Sequence, residues 1–140
     1  MRVKKYVLDV NIFVSYFISN QQQKLASIIA DNDLEIYYCN ELLIEIERVL
    51  TYHHLKKFKI NVKEVVMFIK TVAYFYSLTK PIKVYIEGDN DDSYIIALAL
   101  QTNSGFVTSG DRHILDQKEA LEKKYTKLKI ITKSEFENKF

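Results

Sequence analysis

Short strand-like segments alternate with longer helix-like segments along most of this chain. Four segments are rich in β-branched and aromatic residues, namely KYVLDV, LEIYYC, GFVTSG and LKIIT. The stretches between them carry apolar residues at spacings of three and four, which is typical of amphipathic helices. This alternation predicts an α/β fold in which a mainly parallel sheet is covered by helices on both faces.

The same patterns predict the limits of individual elements. We expect one long amphipathic helix over residues 62–78 and another helix over residues 111–125. Asn40 is expected to cap the helix ELLIEIERVL, because asparagine is favoured at that position. The segment TKPIKVYIEG, residues 79–88, is predicted to be a loop or an edge strand.

Length and composition limit the class of protein. A chain of 140 residues predicts one domain spanning residues 1–140, and 48% hydrophobic with 27% charged residues is a globular composition. The single cysteine excludes an internal disulfide framework, and no apolar run approaches the roughly 20 residues needed to cross a bilayer. We therefore expect a soluble, cytoplasmic protein without a membrane partner. The net charge of +2 is too small to indicate nucleic-acid binding by itself.

Acidic residues stand where a parallel sheet places its ligand site. Asp9 ends the first strand-like segment, and a carboxylate among apolar residues needs a cap or a cation to offset its burial. Asp111 follows GFVTSG closely, and further acids occur in ELLIEIE and EGDNDDS. Ligands bind beyond the carboxyl ends of parallel strands. Since no Cys/His pair has zinc spacing, we predict a site of oxygen ligands for Mg²⁺ or Mn²⁺.

Each of these acids also has an ordinary structural interpretation. Asp9 and Asp111 are both suited to cap the helix that follows them. Helical periodicity does not choose among the three glutamates of the second group, which are Glu41, Glu45 and Glu47. The third group contains four candidates for a helix cap or a metal ligand, which are Asp89, Asn90, Asp91 and Asp92.

The motifs VLDVN, ELLIEIERVL, DNDDSYIIALAL and VTSGDRHIL occur in the order and approximate spacing of the PIN domain family. From about residue 6 to residue 140 the chain resembles that family, and most of all the PIN proteins that are toxin components of toxin–antitoxin pairs. The resemblance implies a three-layer α/β/α sandwich that cleaves single-stranded RNA with Mg²⁺ or Mn²⁺. It assigns the catalytic, metal-holding positions to Asp9, Glu45, Asp92 and Asp111.

The resemblance also implies two residues that orient the metal-holding carboxylates. Asn11 matches the family's asparagine two residues after the first aspartate, and Thr108 matches its hydroxyl residue before the fourth acid. The family usually has one residue between that hydroxyl residue and the acid, whereas two residues separate Thr108 from Asp111. This longer spacing favours an alternative, in which the chain is a catalytically inactive PIN-like binding module.

The predicted function is a metal-dependent endoribonuclease, the toxin of a toxin–antitoxin pair, that hydrolyses phosphodiester bonds of single-stranded RNA. A second alternative is a PIN-like nuclease in RNA processing or DNA repair without an antitoxin. Haloacid-dehalogenase-like phosphatases require an acid where Asn11 stands, and receiver domains require adjacent acids before the first strand's aspartate. Neither class fits this sequence.

The partners expected from the resemblance are RNA, an antitoxin protein and a second copy of the chain. The basic stretch HHLKKFK offers one candidate RNA contact. In the predicted helix, the consecutive residues Tyr74, Phe75 and Tyr76 point around much of the circumference. At least one of these rings is therefore expected at a homodimer interface or in the antitoxin-binding groove.

Overall fold

The computed structural model describes residues 4–80 and 93–140. At its centre lies a five-stranded sheet made of β1 (Lys4–Leu8), β2 (Leu34–Tyr38), β3 (Ala73–Phe75), β4 (Phe106–Thr108) and β5 (Lys129–Ile131). The strands lie in the order β3-β2-β1-β4-β5, and every neighbouring pair is parallel. The prediction of a mainly parallel sheet is confirmed.

Helices cover both faces of this sheet. They are α1 (Val10–Ile18), α2 (Gln22–Asp31), α3 (Asn40–Val49), α4 (His53–Lys56), α5 (Val62–Val72), α6 (Ser93–Thr102), α7 (Arg112–Asp116), α8 (Lys118–Lys124) and α9 (Lys133–Asn138). Connections between parallel strands are almost always right-handed. The steps from β1 to β2 and β3 therefore place α1–α5 on one face, whereas the steps to β4 and β5 place α6–α8 on the other. This arrangement confirms the three-layer α/β/α sandwich.

The buried centre of the molecule lies between β1 and α6. Every residue of α6 from Ser93 to Ala99 is buried, because this helix packs across β1, β2 and β4. A helix that is apolar on all sides is expected only in the interior of a protein. β1 is buried from Tyr6 to Leu8, so the residue that follows it is held against a rigid core.

The predicted helix over residues 62–78 is wrong in its second half. α5 ends at Val72, and the next three residues form β3, which pairs with β2. Tyrosine and phenylalanine favour strands, and hydrogen bonding to β2 outweighs the helical spacing here. Tyr74 and Phe75 are 58% and 50% exposed, and they belong to β3, which is the edge strand of the sheet as far as the described residues show, and not to a helix.

Two other element limits differ from the sequence predictions. Asn40 is the first residue of α3, and the N-cap position belongs to Cys39, whose side chain makes no capping hydrogen bond. The predicted helix over residues 111–125 is divided at Gln117 into α7 and α8. Most of the segment TKPIKVYIEG lies outside the described residues. Among the helices that are described, none is long and apolar enough to cross a membrane.

Candidate active site

The candidate site lies where β1 and β4 end side by side. The chain leaves β1 toward β2 on one side and leaves β4 toward β5 on the other, so the connections diverge at this point. Such a switch point is the usual ligand site of an open parallel sheet. The backbone N–H of Asp9 donates a hydrogen bond to the carbonyl oxygen of Thr108 at 3.0 Å, which fixes the two strand ends together.

Asp9 is buried and both of its carboxylate oxygens are hydrogen-bonded. Oδ1 accepts a hydrogen bond from the backbone N–H of Val10 at 2.7 Å, and Oδ2 accepts one from the hydroxyl of Ser109 at 2.8 Å. Asp9 is also the N-cap of α1, as its capping interpretation predicts. Capping and metal binding are compatible, because each carboxylate oxygen has more than one lone pair.

Ser109 connects the two aspartates of the site. Its hydroxyl donates to Asp9 and accepts a hydrogen bond from the backbone N–H of Asp111 at 3.0 Å. Asp111 in turn caps α7, where its Oδ1 accepts a hydrogen bond from the backbone N–H of His113 at 2.7 Å. One buried hydroxyl therefore sets the position of Asp9 relative to Asp111.

Sequence reasoning assigned this hydroxyl role to Thr108 and missed Ser109. The hydroxyl of Thr108 is buried and has no hydrogen-bond partner among the described residues. Ser109 stands two residues before Asp111, with only Gly110 between them, and this is the spacing that the family usually shows. The signal was therefore present in the sequence. The longer link from Thr108 to Asp111 no longer favours an inactive binding module.

The negative charges of the site act on one another. Burial raises the pKa of Asp9 to about 6, although the hydrogen bonds from Ser109 and Val10 oppose this rise. The carboxylates of Asp111 and Glu45 raise the pKa further by repulsion. Both charges are therefore close enough to disfavour the ionised form of Asp9, and a cation placed among them would relieve that repulsion.

Of the three candidate glutamates on α3, Glu45 is the one whose charge acts on Asp9. Its two carboxylate oxygens accept hydrogen bonds from one guanidinium nitrogen of Arg48, each at 2.6 Å. Glu41 pairs instead with Lys80. Burial raises the pKa of Glu41, but the hydrogen bonds and the positive charge around it, those of Lys80 above all, together lower it below its ordinary value. Glu47 is exposed.

Two predicted site residues remain, and the structure describes only Asn11. Asn11 lies in the first turn of α1, two residues after Asp9, and it is exposed. Asp92 lies outside the described residues, as do its alternatives Asp89, Asn90 and Asp91. Hydrogen bonds therefore connect Asp9, Ser109 and Asp111. Glu45 interacts with Asp9 by charge repulsion.

The donor atoms of this site fit a hard divalent cation. Within residues 4–80 and 93–140, no group of three or more His, Cys, Asp or Glu side chains is arranged to hold a metal ion. The groups that meet are carboxylates, and Mg²⁺ and Mn²⁺ prefer such oxygen ligands. Burial raises the pKa of the Cys39 thiol to about 12, so this side chain is a neutral thiol at neutral pH.

Comparisons with known proteins agree with this architecture. A family model described as the PIN domain matches residues 5–113. Comparison with curated proteins gives no match. Among solved structures, the chain is similar to VapBC2 from Rickettsia felis bound to a DNA fragment from its promoter, with a TM-score of 0.58 and 12% sequence identity. That similarity covers 91% of this chain and 98% of the other, which at such identity shows a shared fold. The chain belongs to the PIN domain family.

Proposed function

We propose that this protein is a metal-dependent endoribonuclease that hydrolyses phosphodiester bonds of single-stranded RNA. The observation that carries the proposal is Asp9, a buried carboxylate whose pKa is raised to about 6 and which Ser109 links to Asp111. A fold that concentrates repelling acids at a ligand site needs a positive partner there. Membership of the PIN family supports nuclease chemistry.

In this proposal Asp9, Glu45, Asp92 and Asp111 hold Mg²⁺ or Mn²⁺. Asp92 is included on the family resemblance alone. The chemistry that such a cation supplies when bound is a lower pKa for water and an offset for negative charge on the phosphate. The protein's own residues keep the carboxylates in place.

Three groups orient these carboxylates. The Ser109 hydroxyl and the Val10 N–H fix both oxygens of Asp9, and the Arg48 guanidinium binds Glu45. Asn11, exposed at the start of α1, is proposed to orient a ligand or the substrate from the rim of the site. The orienting role expected of Thr108 is proposed to belong to Ser109, because Ser109 makes the contacts.

RNA cleavage tests the catalytic part of the proposal. A fluorescently labelled single-stranded RNA is expected to be cut with Mg²⁺ or Mn²⁺, and to stay intact in EDTA. Asp9→Asn is expected to lower the rate by at least about 100-fold, since partners that only orient ligands already cost 10–100-fold. Asp31→Asn removes an exposed acid at the end of α2 and serves as the control. Cleavage by Asp9→Asn at the wild-type rate contradicts the proposal.

We also propose that the protein is a cytoplasmic toxin that has an antitoxin partner and forms a homodimer. The family resemblance to toxin components supports the antitoxin, as does the similar structure of VapBC2 on promoter DNA. The edge strand β3 supports a protein interface, because Tyr74 and Phe75 expose half or more of their surface there. Exposed aromatic rings are enriched at such interfaces.

Light scattering at micromolar concentration tests the homodimer. The wild-type chain is expected to have the mass of two copies, and Phe75→Ser to shift it toward one copy, because an exposed aromatic ring is lost from the interface. Phe58→Ser is the matched control, since Phe58 is 41% exposed and stands between α4 and α5, outside β3. A monomeric wild-type chain overturns this part of the proposal and leaves the nuclease untouched.

A further inference from the structure

A cavity lies at the opposite end of the sheet from the carboxylates. It is a cavity of about 650 Å³ formed where β1, β4 and β5 begin, where α6 ends and where the chain passes from α8 to β5. β1 is five residues long, so this cavity and Asp9 are separated by about 17 Å along the strand. The cavity and the candidate active site are therefore distinct.

The lining of this cavity is strongly basic. Five lysines line it, and no aspartate or glutamate does. Lys129 lies 3.9 Å from the carboxylate of Glu122. Within the part of the chain that the structure describes, the other four lysines have no carboxylate at ion-pair distance, namely Lys4, Lys5, Lys124 and Lys127.

The carboxyl ends of two helices stabilise part of this positive charge. The ammonium of Lys5 donates a hydrogen bond to the carbonyl oxygen of Thr102 at the end of α6, at 3.3 Å, and Lys124 lies in the last turn of α8. Cations are favoured at such positions, because each helix carries about half a negative charge at its carboxyl end. Two helix ends offset about one of the five positive charges, and Glu122 offsets a second. Lys4, Lys5 and Lys124 also lie over aromatic rings, at 5.5, 5.7 and 5.5 Å from the ring centroids, but an aromatic ring does not neutralise an ammonium. About three of the positive charges therefore have no opposite charge beside them.

Apolar and aromatic groups lie between these lysines. Leu100, Leu128, Phe106 and Tyr125 line the cavity, and Phe106 is partly exposed. Phe106 is stacked on Tyr6 and has Lys139 over its ring, so these apolar groups form the floor of the cavity and the lysines are its binding groups. A positively charged groove that follows the backbone is one part of how proteins bind single-stranded nucleic acid. The lysines come from separate segments and act as point charges, which suits a backbone whose phosphates recur at intervals.

We propose that this basic cavity binds the phosphodiester backbone of single-stranded RNA at a site separate from the acidic site. That the nucleic acid is RNA rests on the proposed function, whereas the binding itself requires no catalysis. A strand held by the lysines at the amino ends of the strands is anchored outside the acidic site. The cavity therefore contributes to RNA affinity without touching the bond that is cut.

Fluorescence anisotropy with a labelled, mixed-sequence RNA of about 16 nucleotides tests the proposal. EDTA in the buffer prevents cleavage, and the full chain is used. The double variant Lys124→Glu with Lys127→Glu is expected to bind about tenfold more weakly at low salt, because two cations are lost from the phosphate path. Its plot of log affinity against log salt is expected to be shallower by about 1.4, at about 0.7 per phosphate contact.

The matched control is Lys63→Glu with Lys70→Glu, which reverses the same number of charges on α5, on the other face of the sheet. This control is expected to bind RNA within about twofold of the wild type. All four lysines are exposed, and unchanged melting temperatures show that both double variants are folded. An equal loss of affinity in the two double variants, or no loss in the first, overturns the proposal.

Two further measurements separate the alternatives. Competition by adenosine monophosphate at micromolar concentration would mean a nucleotide pocket, and would overturn binding of a strand. RNA binding that depends on Lys124 and Lys127 without any RNA cleavage would refute the proposed nuclease and support the cavity. Cleavage with no effect of the lysine variants on binding would refute the cavity and support the nuclease.

Discussion

Acids lie beyond the carboxyl ends of β1 and β4, whereas lysines surround the amino ends of β1, β4 and β5. At the acidic end, Asp9 is buried and is influenced by Glu45 and Asp111. At the basic end, the lysines around the cavity are mostly exposed, and Lys4 and Lys127 are typical of them.

The two ends differ more in burial than in the number of charges. A charge that is removed from water changes the stability of the fold, and its pKa records the cost. A charge that remains in water affects stability little, but still attracts a charged ligand. At the acidic end, a change of charge is therefore expected to alter the stability of the fold and the cleavage rate. At the basic end, it is expected to alter the affinity for a charged ligand.

The largest expected effect concerns the ion at the acidic end. RNA cleavage in Ca²⁺ is expected to be at least about 100-fold slower than in Mg²⁺ or Mn²⁺, because calcium's longer bonds and looser coordination suit compact octahedral sites poorly. Parallel cleavage assays at equal ion concentrations measure the difference. Equal rates in calcium would mean that the carboxylates attract any divalent cation by charge alone, without selecting its size or coordination geometry.

The next effect is on stability, measured by urea unfolding in EDTA. The folded-state pKa of Asp9 is about 6, well above its ordinary value, so the folded chain binds an extra proton between about pH 4 and pH 6. Stability therefore falls as the pH rises through this range. Asp9→Asn keeps a capping side chain and removes the charge, so it is expected to be about 3 kcal/mol more stable at about pH 7.5.

At about pH 3 the same variant and the wild type are expected to be nearly equally stable, because the wild-type Asp9 carboxyl is then mostly neutral in both the folded and the unfolded chain. A variant that is less stable than the wild type at neutral pH would show that the cap needs a full negative charge. Asp9 would then act mainly as an ordinary helix N-cap.

A smaller effect distinguishes two adjacent hydroxyls. Ser109→Ala removes a donor to buried Asp9, and is expected to cost about 1–3 kcal/mol of stability and to slow cleavage by about 10–100-fold. Thr108→Val replaces a buried hydroxyl that has no partner among the described residues, so it is expected to leave stability equal or higher. Denaturant unfolding and RNA cleavage measure both variants. The reverse order would restore Thr108 as the orienting residue.

The smallest effect is expected at the basic end. Lys124→Gln with Lys127→Gln removes two exposed charges, and is expected to change the free energy of unfolding by less than about 0.5 kcal/mol. The same urea unfolding measures it, beside Asp9→Asn. A change as large as that of Asp9→Asn would mean that charge is coupled to folding at both ends, and that burial does not separate them.

The sequence predicted the sheet well because four of its strands are short β-rich segments between clear helical patterns. It failed at β3, where the apolar spacing of α5 continues into Ala73–Phe75 without a glycine or proline. Pairing with β2 decides that segment, and local pattern does not contain this information. The exposure of Tyr74 and Phe75 was predicted, but the prediction placed these rings on a helix, whereas they lie on strand β3.

The sites were predictable to different degrees. Asp9 and Asp111 stand directly after strand-like segments, so their meeting follows from a parallel sheet. Ser109 and Thr108 are adjacent, and only the direction in which each hydroxyl points separates their roles. The basic cavity was not predicted at all, because Lys4 and Lys5 are more than a hundred positions from the lysines that face them.

Cys39 is the one cysteine of the chain, and it is fully buried. Maleimide dyes require an accessible thiolate, so Cys39 is not expected to react with them at neutral pH. A chain with Lys127→Cys and another with Asn11→Cys would each accept a single fluorophore, one at either end of the sheet. Energy transfer to a dye on the 5′ or 3′ terminus of an RNA would then reveal the polarity in which the strand lies on the protein.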